Sequence, residues 1–263
     1  MRSTEENIRK AADRIRHAAE TGTPCEPVRS LLAEADLEAA YAVQEYNTRA
    51  WLKGGRRLVG RKIGLTARAV QAQLGVDQPD YGMLFADLDV PEGEPILPAR
   101  VMQPKVEGEV AFVMGQDLDE TRLTAADVMG AIDYAVAAIE IVDSRIANWD
   151  IRILDTIADN ASSGLYVLGH EPRRLGEFDP RLCGMVLERN GEPVSFGAGA
   201  ACLGSPVSAT LWLAKVMARA GRPLRKGEIV LSGALGPMAP VAQGDSIAVH
   251  IGGLGSVRAH FSR

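Results

Sequence analysis

The sequence predicts an α+β protein with its helices gathered toward the N-terminus and a mixed-β body behind them. Three observations lead there. Apolar residues recur at helical spacing over residues 5–20, and an Asp36 cap and a Gly54-Gly55 stop bound a second helix, so the first ~55 residues read as helical. From Leu58 onward, short apolar runs alternate with Gly and Pro punctuation, as strands of four to eight residues do. The strands outnumber the helices too heavily for regular βαβ winding. A length of 263 residues suits one large domain, or one domain with an appended element. The expected division is a helical region over residues 1–57 and a mixed-β domain over residues 58–263.

Each element has a local cause. Over residues 5–20, Ile8, Ala11, Ala12, Ile15, Ala18 and Ala19 fall on one helical face with charges between them. The segment TGTPCEP then breaks the helix. Asp36 is a good N-cap for a second helix, and Gly54-Gly55 suit its end. The stretches VGRKIGL, VEGEVAFVM, AAIEIVDSR, GLYVLG, CGMVLERNGEPV, EIVLSGAL, DSIAVHI and SVRAHF read as strands. Asn190-Gly191 predicts a tight hairpin, because both residues tolerate positive φ. Two helices interrupt the strands. One starts at a Thr124 cap with Asp127 three residues on, and the other is PVSATLWLAKVMARAG, closing at Gly221.

Composition excludes several functions. Hydrophobic residues make up 46% and charged residues 24%, so a packed core is expected and disorder is not. With 29 Lys and Arg against 34 Asp and Glu, the net charge is −5. A weakly acidic chain lacks the basic face that phosphate neutralisation needs, so no nucleic-acid partner is expected. MRSTEENIRK holds no secretory apolar core, and no apolar run reaches the ~18 residues of a membrane span. Cys25, Cys183 and Cys202 are too far apart for a CxxC pair, and three packed thiols suit the cytoplasm. There is no GxGxxG, no phosphate loop and no GxSxG elbow. His17, His170, His250 and His260 show no metal-ligand spacing. Any chemistry must come from carboxylates, lysine and hydroxyls.

The sharpest signal is Val106-Glu107-Gly108-Glu109-Val110. On a strand, residues i and i+2 share a face, so Glu107 and Glu109 point the same way. Their repulsion calls for a wetted face or a positive charge. Gly108 leaves room for a ligand to approach the backbone. The second piece is Glu140, alone inside Ala137-Ala138-Ile139-Glu140-Ile141-Val142. Glutamate is almost never fully buried unless paired. Three carboxylates meeting in a partly buried site would suit Mg²⁺ or Mn²⁺, and an oxygen-only set disfavours zinc. The competing reading of an ExE pair is a solvated strand face.

These stretches carry a resemblance. GRKIGLTARAVQAQLGVDQPDYGMLFADL (60–88), QPKVEGEVAFVM (103–114), AAIEIVDSRIANWDI (137–151), DTIADNASSG (155–164) and LSGALGPMAPVAQGD (231–245) resemble the 2-keto-4-pentenoate (2-hydroxypenta-2,4-dienoate) hydratases. Those enzymes belong to the fumarylacetoacetate-hydrolase-like superfamily, and the likeness covers nearly the whole chain. It implies a mixed β-sandwich or roll with a helical N-terminal region. It implies Glu107, Glu109 and Glu140 as ligands of a divalent cation, Lys62 and Asp80 as active-site residues, and Ser162 in a segment lining the substrate pocket. Asn160 or Ser163 are the alternatives to Ser162. Relatives form ring-like oligomers, so a pentamer or decamer is expected.

The sister 4-oxalocrotonate decarboxylases share the ExE pair, the later Glu and the ADNAS segment. Asp80-Tyr81-Gly82 and Gly60-Arg61-Lys62 favour the hydratase. A decarboxylase, or a non-catalytic subunit supporting a partner decarboxylase, is the alternative. The implied reaction adds water to 2-hydroxypenta-2,4-dienoate to give 4-hydroxy-2-oxopentanoate. Three Glu, a divalent cation and a substrate carboxylate sum to a negative site, so a cation near the developing enolate is needed, and Lys62 is the candidate. Asp80 would shuttle the proton, its plainer reading being a turn former after Pro79. Asp143 and Arg145 are expected to form a structural ion pair.

Overall fold

The computed structural model describes residues 2–68, 71 and 76–263. Part of the quoted stretch 60–88, namely residues 69, 70 and 72–75, lies outside them. Two helices come first, α1 (Glu5–Thr21) and α2 (Leu37–Lys53). The Asp36 side chain accepts the Ala39 N–H and so caps α2 as expected. Strands β1 (Leu58–Gly64) and β2 (Asp80–Phe85) follow, then β3 (Pro95–Ile96) and β4 (Lys105–Met114). Helix α3 (Ala125–Ala131), with the expected Thr124–Asp127 capping box, leads into β5 (Ile132–Val142). A six-residue helix, α4 (Ile153–Ala158), precedes β6 (Ser163–Leu168). Strands β7 (Gly184–Arg189) and β8 (Glu192–Ala198) meet at Asn190-Gly191, whose φ values of 57° and 83° are those of the predicted hairpin turn. Helix α5 (Pro206–Arg219), β9 (Ile229–Ala234), β10 (Ala239–Pro240), β11 (Ser246–Ile251) and β12 (Gly255–Phe261) complete the chain.

The strands form two sheets. The larger runs β2-β1-β9-β4-β5-β6, with β10 paired to the start of β4. The smaller runs β3-β12-β11-β7-β8. Pairing is antiparallel except between β1 and β9 and between β3 and β12, so both sheets are mixed. Val106, Val110, Phe112, Ile139 and Ile141 from the larger sheet pack with Met185, Leu187, Val249 and Val257 from the smaller. Period-two alternation sends the intervening residues of β4 and β5 to the opposite face. There Ala111, Val136, Ala138 and Leu231 form a smaller apolar patch beside the carboxylates.

The first two helices do not stand apart. Ala11, Ile15 and Val43 share one apolar cluster with Leu154 and Ile157 of α4. Tyr41 of α2 stacks on Tyr81 of β2 with ring centroids 4.6 Å apart. Segment Gly199–Arg219 is long and apolar enough by composition to cross a membrane. Its continuous helix α5 has only 14 residues, about 21 Å against the ~30 Å hydrocarbon layer, and buries Val207, Leu213 and Met217 in the core.

Gly108 differs from expectation. A Cβ there would lie 2.9 Å from Val249 Cγ1 and 3.1 Å from Met185 Sδ. The glycine permits close approach of the second sheet, on the face away from the carboxylates, not of a ligand.

Candidate active site

Register brings the three glutamates together. Glu107 pairs directly across from Glu140, and Glu109 is two residues along the same face of β4. One carboxylate oxygen from each lies within 4.8 Å of the others. Glu109 and Glu140 are buried, whereas Glu107 is half-buried. Glu109 Oε2 accepts the Gly233 N–H at 2.8 Å. Among the described residues, Glu109 Oε1 and Glu140 Oε2 accept no hydrogen bond, and Glu140 Oε1 meets only the Lys62 ammonium. Buried carboxylate oxygens left so are costly unless a cation meets them. Burial first, and then Glu140 beside it, pushes Glu107 up to about 7. Burial first, and then Glu140 and Glu107, hold Glu109 well above the ordinary carboxylate range. Three converging anionic oxygens without Cys or His fit a hard divalent cation.

Lys62 and Asp80 meet at this cluster. Lys62 points to the carboxylate face of β1 and sets its Nζ 3.0 Å from Glu140 Oε1. Burial works against its charge, but Glu140, Asp80, Glu107 and Glu109 together hold its pKa above the ordinary lysine value. Asp80 is the first residue of β2, paired with Gly64 of β1, rather than a turn former. A Cβ on Gly64 would fall 2.2 Å from Asp80 Oδ1 and 3.5 Å from Lys62 Nζ, so only glycine leaves that carboxylate its place. Burial pushes the Asp80 carboxyl up, and Lys62 and a Thr156 hydrogen bond oppose the shift.

Ser162 is buried at the end of a left-handed turn, in which Asn160, Ala161 and Ser162 have φ of 56°, 52° and 51°. Such a conformation costs a non-glycine residue roughly 1–2 kcal/mol and persists only where its surroundings enforce it. Asn160 supplies that enforcement. Its Oδ1 accepts the Met83 N–H at 2.7 Å and its Nδ2 donates to the Met83 carbonyl at 2.9 Å. The Asn160 side chain is thus committed to β2. The Ser162 hydroxyl reaches Asp159 Oδ2 at 3.4 Å.

One expectation about the site needs correction. Asp143 and Arg145 do not pair through their side chains. Arg145 Nε donates to Asp159 Oδ1 at 2.5 Å, and Nη1 donates to the Asp143 and Ser163 carbonyls. The Asp143 carboxylate accepts the Met102 and Gln103 N–H groups instead. Arg61 points away from Lys62 across β1 and forms an ion pair with Glu228. Two surface clefts, one lined by Asp117, Asp119 and Glu120 and one by Arg56, Arg100 and Asp143, contain none of the three glutamates, Lys62 or Asp80.

Sequence reading passed over Thr156, whose Oγ1 donates to Asp80 Oδ2 at 3.2 Å, and Gln44, which is 2% exposed. It also passed over Lys105, on the same face as Glu107, with its Nζ 4.2 Å from the centroid of the Trp149 ring.

A helical start, two packed mixed sheets and an oxygen-only triad beside a buried lysine define the class. The chain belongs to the fumarylacetoacetate hydrolase family, whose C-terminal domain model matches residues 57–262. Within that family it sits with the 2-keto-4-pentenoate hydratases. It is 67% identical to a TodF product hydratase of Pseudomonas putida strain F1, with 97% of this chain and 96% of the relative covered. It is 59% identical to 2-keto-4-pentenoate hydratase 1 of Dechloromonas aromatica, with 96% of each covered. The solved 4-oxalocrotonate decarboxylase of Pseudomonas putida G7, complexed with magnesium and adipate, superposes with a TM-score of 0.94 at 37% identity over 98% of both chains.

Proposed function

We propose that this protein is a hydro-lyase that adds water to 2-hydroxypenta-2,4-dienoate (2-keto-4-pentenoate) and forms 4-hydroxy-2-oxopentanoate, in the breakdown of aromatic ring-cleavage products. The convergence of Glu107, Glu109, Glu140, Lys62 and Asp80 on one side of the larger sheet carries the reading. Identities of 67% and 59% to hydratases, against 37% to a decarboxylase on the same scaffold, favour hydration over decarboxylation. A non-catalytic partner subunit would have no need of the buried Lys62 and Asp80.

Glu107, Glu109 and Glu140 are proposed to hold Mg²⁺ or Mn²⁺. When bound, such a cation supplies a Lewis acid toward the carboxylate and 2-oxygen of the substrate. Lys62 places a fixed positive charge where negative charge grows on that 2-oxygen, and stays protonated throughout. Ketonisation puts a proton on C5 and leaves C4 electrophilic. Asp80 then accepts a proton from the water that attacks C4, and a proton delivered to C3 completes the addition of one water. Burial favours the protonated form of Asp80 and Lys62 the ionised form, a balance suited to a group that must both take and give a proton. Ser162 is assigned to the substrate side of the pocket.

The helical region over residues 1–57 is taken as an accessory to the 58–263 catalytic domain. The three unpaired cysteines suit the cytoplasm. Val194 and Phe196, exposed on β8 at the edge of the smaller sheet, support self-association; the proposed form is a pentamer or decamer, and a sister decarboxylase is the proposed partner. The deciding experiment is NMR product analysis with 2-hydroxypenta-2,4-dienoate and with 4-oxalocrotonate, each with Mg²⁺ or Mn²⁺. 4-Hydroxy-2-oxopentanoate from the first substrate is expected. Carbon dioxide from the second, with no hydration of the first, would replace the reading by the decarboxylase.

A further inference from the structure

A carboxylate that moves a proton must present one chosen oxygen. The terminal torsion of aspartate is broad and roughly two-fold, so the side chain alone does not choose. In this protein the two oxygens of Asp80 have different surroundings. Oδ2 accepts the Thr156 hydroxyl at 3.2 Å. Oδ1 lies over Gly64 and, among the described residues, has no hydrogen-bond partner. Thr156 belongs to α4, a six-residue helix with too few turns to fix its own position. Leu154, Ile157 and the Arg29–Asp155 ion pair hold it against the first helices, and its backbone is tied to that of β2 by Gln44, from the middle of α2. Its Nε2 donates one hydrogen to the Tyr81 carbonyl at 2.8 Å and the other to the Ile157 carbonyl at 3.0 Å.

Those two carbonyls belong to the residues that directly follow Asp80 and Thr156. A primary amide has two donors, and Gln44 spends both on the two backbones that carry the pair. The amide is buried, so each bond is made without competition from water. Stacking of Tyr41 on Tyr81 adds a second link between α2 and the first residues of β2.

We infer that Gln44 and Thr156 are positioning residues that fix Asp80 with Oδ1 toward the substrate, so the N-terminal helical region takes part in the chemistry through a buried amide. This rests on the proton-shuttle role proposed for Asp80. Thr156 donates to a carboxylate, and losing a hydrogen bond to a charged group corresponds to roughly a 10- to 100-fold change.

The test is a double-mutant cycle on the full-length, Mn²⁺-loaded protein. Thr156→Val, near-isosteric but without the donor, should lower kcat by about 10- to 100-fold. KM and Mn²⁺ affinity should stay within about twofold. Thr156→Ser restores the donor and should remain within about threefold of wild type. In an Asp80→Asn background, Thr156→Val should cost less than about twofold more, because residues that act through one another are not additive. Gln44→Met should behave as Thr156→Val does, with thermal unfolding followed alongside to separate misplacement from misfolding. Equal losses from Thr156→Val in both backgrounds, a loss confined to KM, or a Thr156→Ser variant as impaired as the valine would overturn the positioning role while leaving the hydratase reading intact. A wild-type protein that does not hydrate the dienoate would overturn both.

Discussion

Lys62→Met tests the electrostatics of the site most directly. Asp80, Glu107, Glu109 and Glu140 surround the Lys62 ammonium, these five groups summing to −3 when all are ionised, and the substitution takes the sum to −4. Lys62 is 3% exposed and its partner Glu140 1%, so the pair is truly interior. Removing one member of a buried pair costs roughly 3–5 kcal/mol, because the other charge is left without compensation. For a chain of this size each kcal/mol moves Tm by about 2–4 °C, so the metal-free variant should melt about 6–20 °C below wild type. Carboxylates that take up protons blunt the penalty, so the gap should widen from pH 5 to pH 8. Saturating Mn²⁺ should close part of it by neutralising the same carboxylates. Turnover should fall about 10²–10³-fold, the usual consequence of losing one preorganised stabiliser of developing charge. Thermal melts in EDTA and in Mn²⁺, with steady-state kinetics at both pH values, measure all of this. A variant with wild-type Tm in EDTA and wild-type kcat would refute the assignment of Lys62 to this cluster's charge balance and to catalysis.

Glu107→Gln, Glu109→Gln and Glu140→Gln should each weaken Mn²⁺ binding and strongly reduce turnover, since each removes an anionic oxygen donor; titration by electron paramagnetic resonance reads this, and wild-type affinity in all three would sink the triad. Gly64→Ala should leave the fold but displace Asp80, whose Oδ1 lies 2.2 Å from the new methyl position, lowering kcat by about 10²–10⁴-fold if the proton shuttle is lost; steady-state rates within twofold of wild type would contradict it. The metal-free protein should lose stability as pH rises from 4.5 toward about 7, because folded Glu107 holds its proton over that window and the unfolded chain does not. Cation binding requires the ionised form, so Mn²⁺ should raise Tm by more at pH 7.5 than at pH 5; an equal rise at both would argue that the cation meets carboxylates already ionised.

The elements legible in the sequence were those with a strong period or a strong cap. The α1 stripe, the Asp36 cap of α2, the Thr124 box and the Asn190-Gly191 turn all announce themselves locally. The carboxylate triad was legible because strand parity is a local rule, and because Glu140 stood alone among apolar neighbours. Strand β2 was not, since Asp-Gln-Pro-Asp reads as a turn and only pairing with β1 makes Asp80 a strand residue. Helix α4 is too short to show a period, so Thr156 carried no signal. Gly108 was read as room for a ligand because sequence cannot say which face of a strand a second sheet will cover. Arg145 was matched to its neighbour Asp143, whereas folding presents the more buried Asp159 from α4's C-terminal end.

Strand β4 serves two interiors at once. Its even-numbered residues, Val106, Val110, Phe112 and Met114, belong to the core between the sheets, while Glu107 and Glu109 face the opposite way. Shifting the strand by one residue would drive both glutamates into the hydrocarbon interior and turn Phe112 outward. The register that builds the core therefore also brings together the carboxylates of the proposed cation site, and neither can form correctly alone. Insertions and deletions along this strand are closed to any redesign of the enzyme. Its metal preference and substrate range can be altered only by replacing side chains at alternate positions, with the intervening ones held fixed.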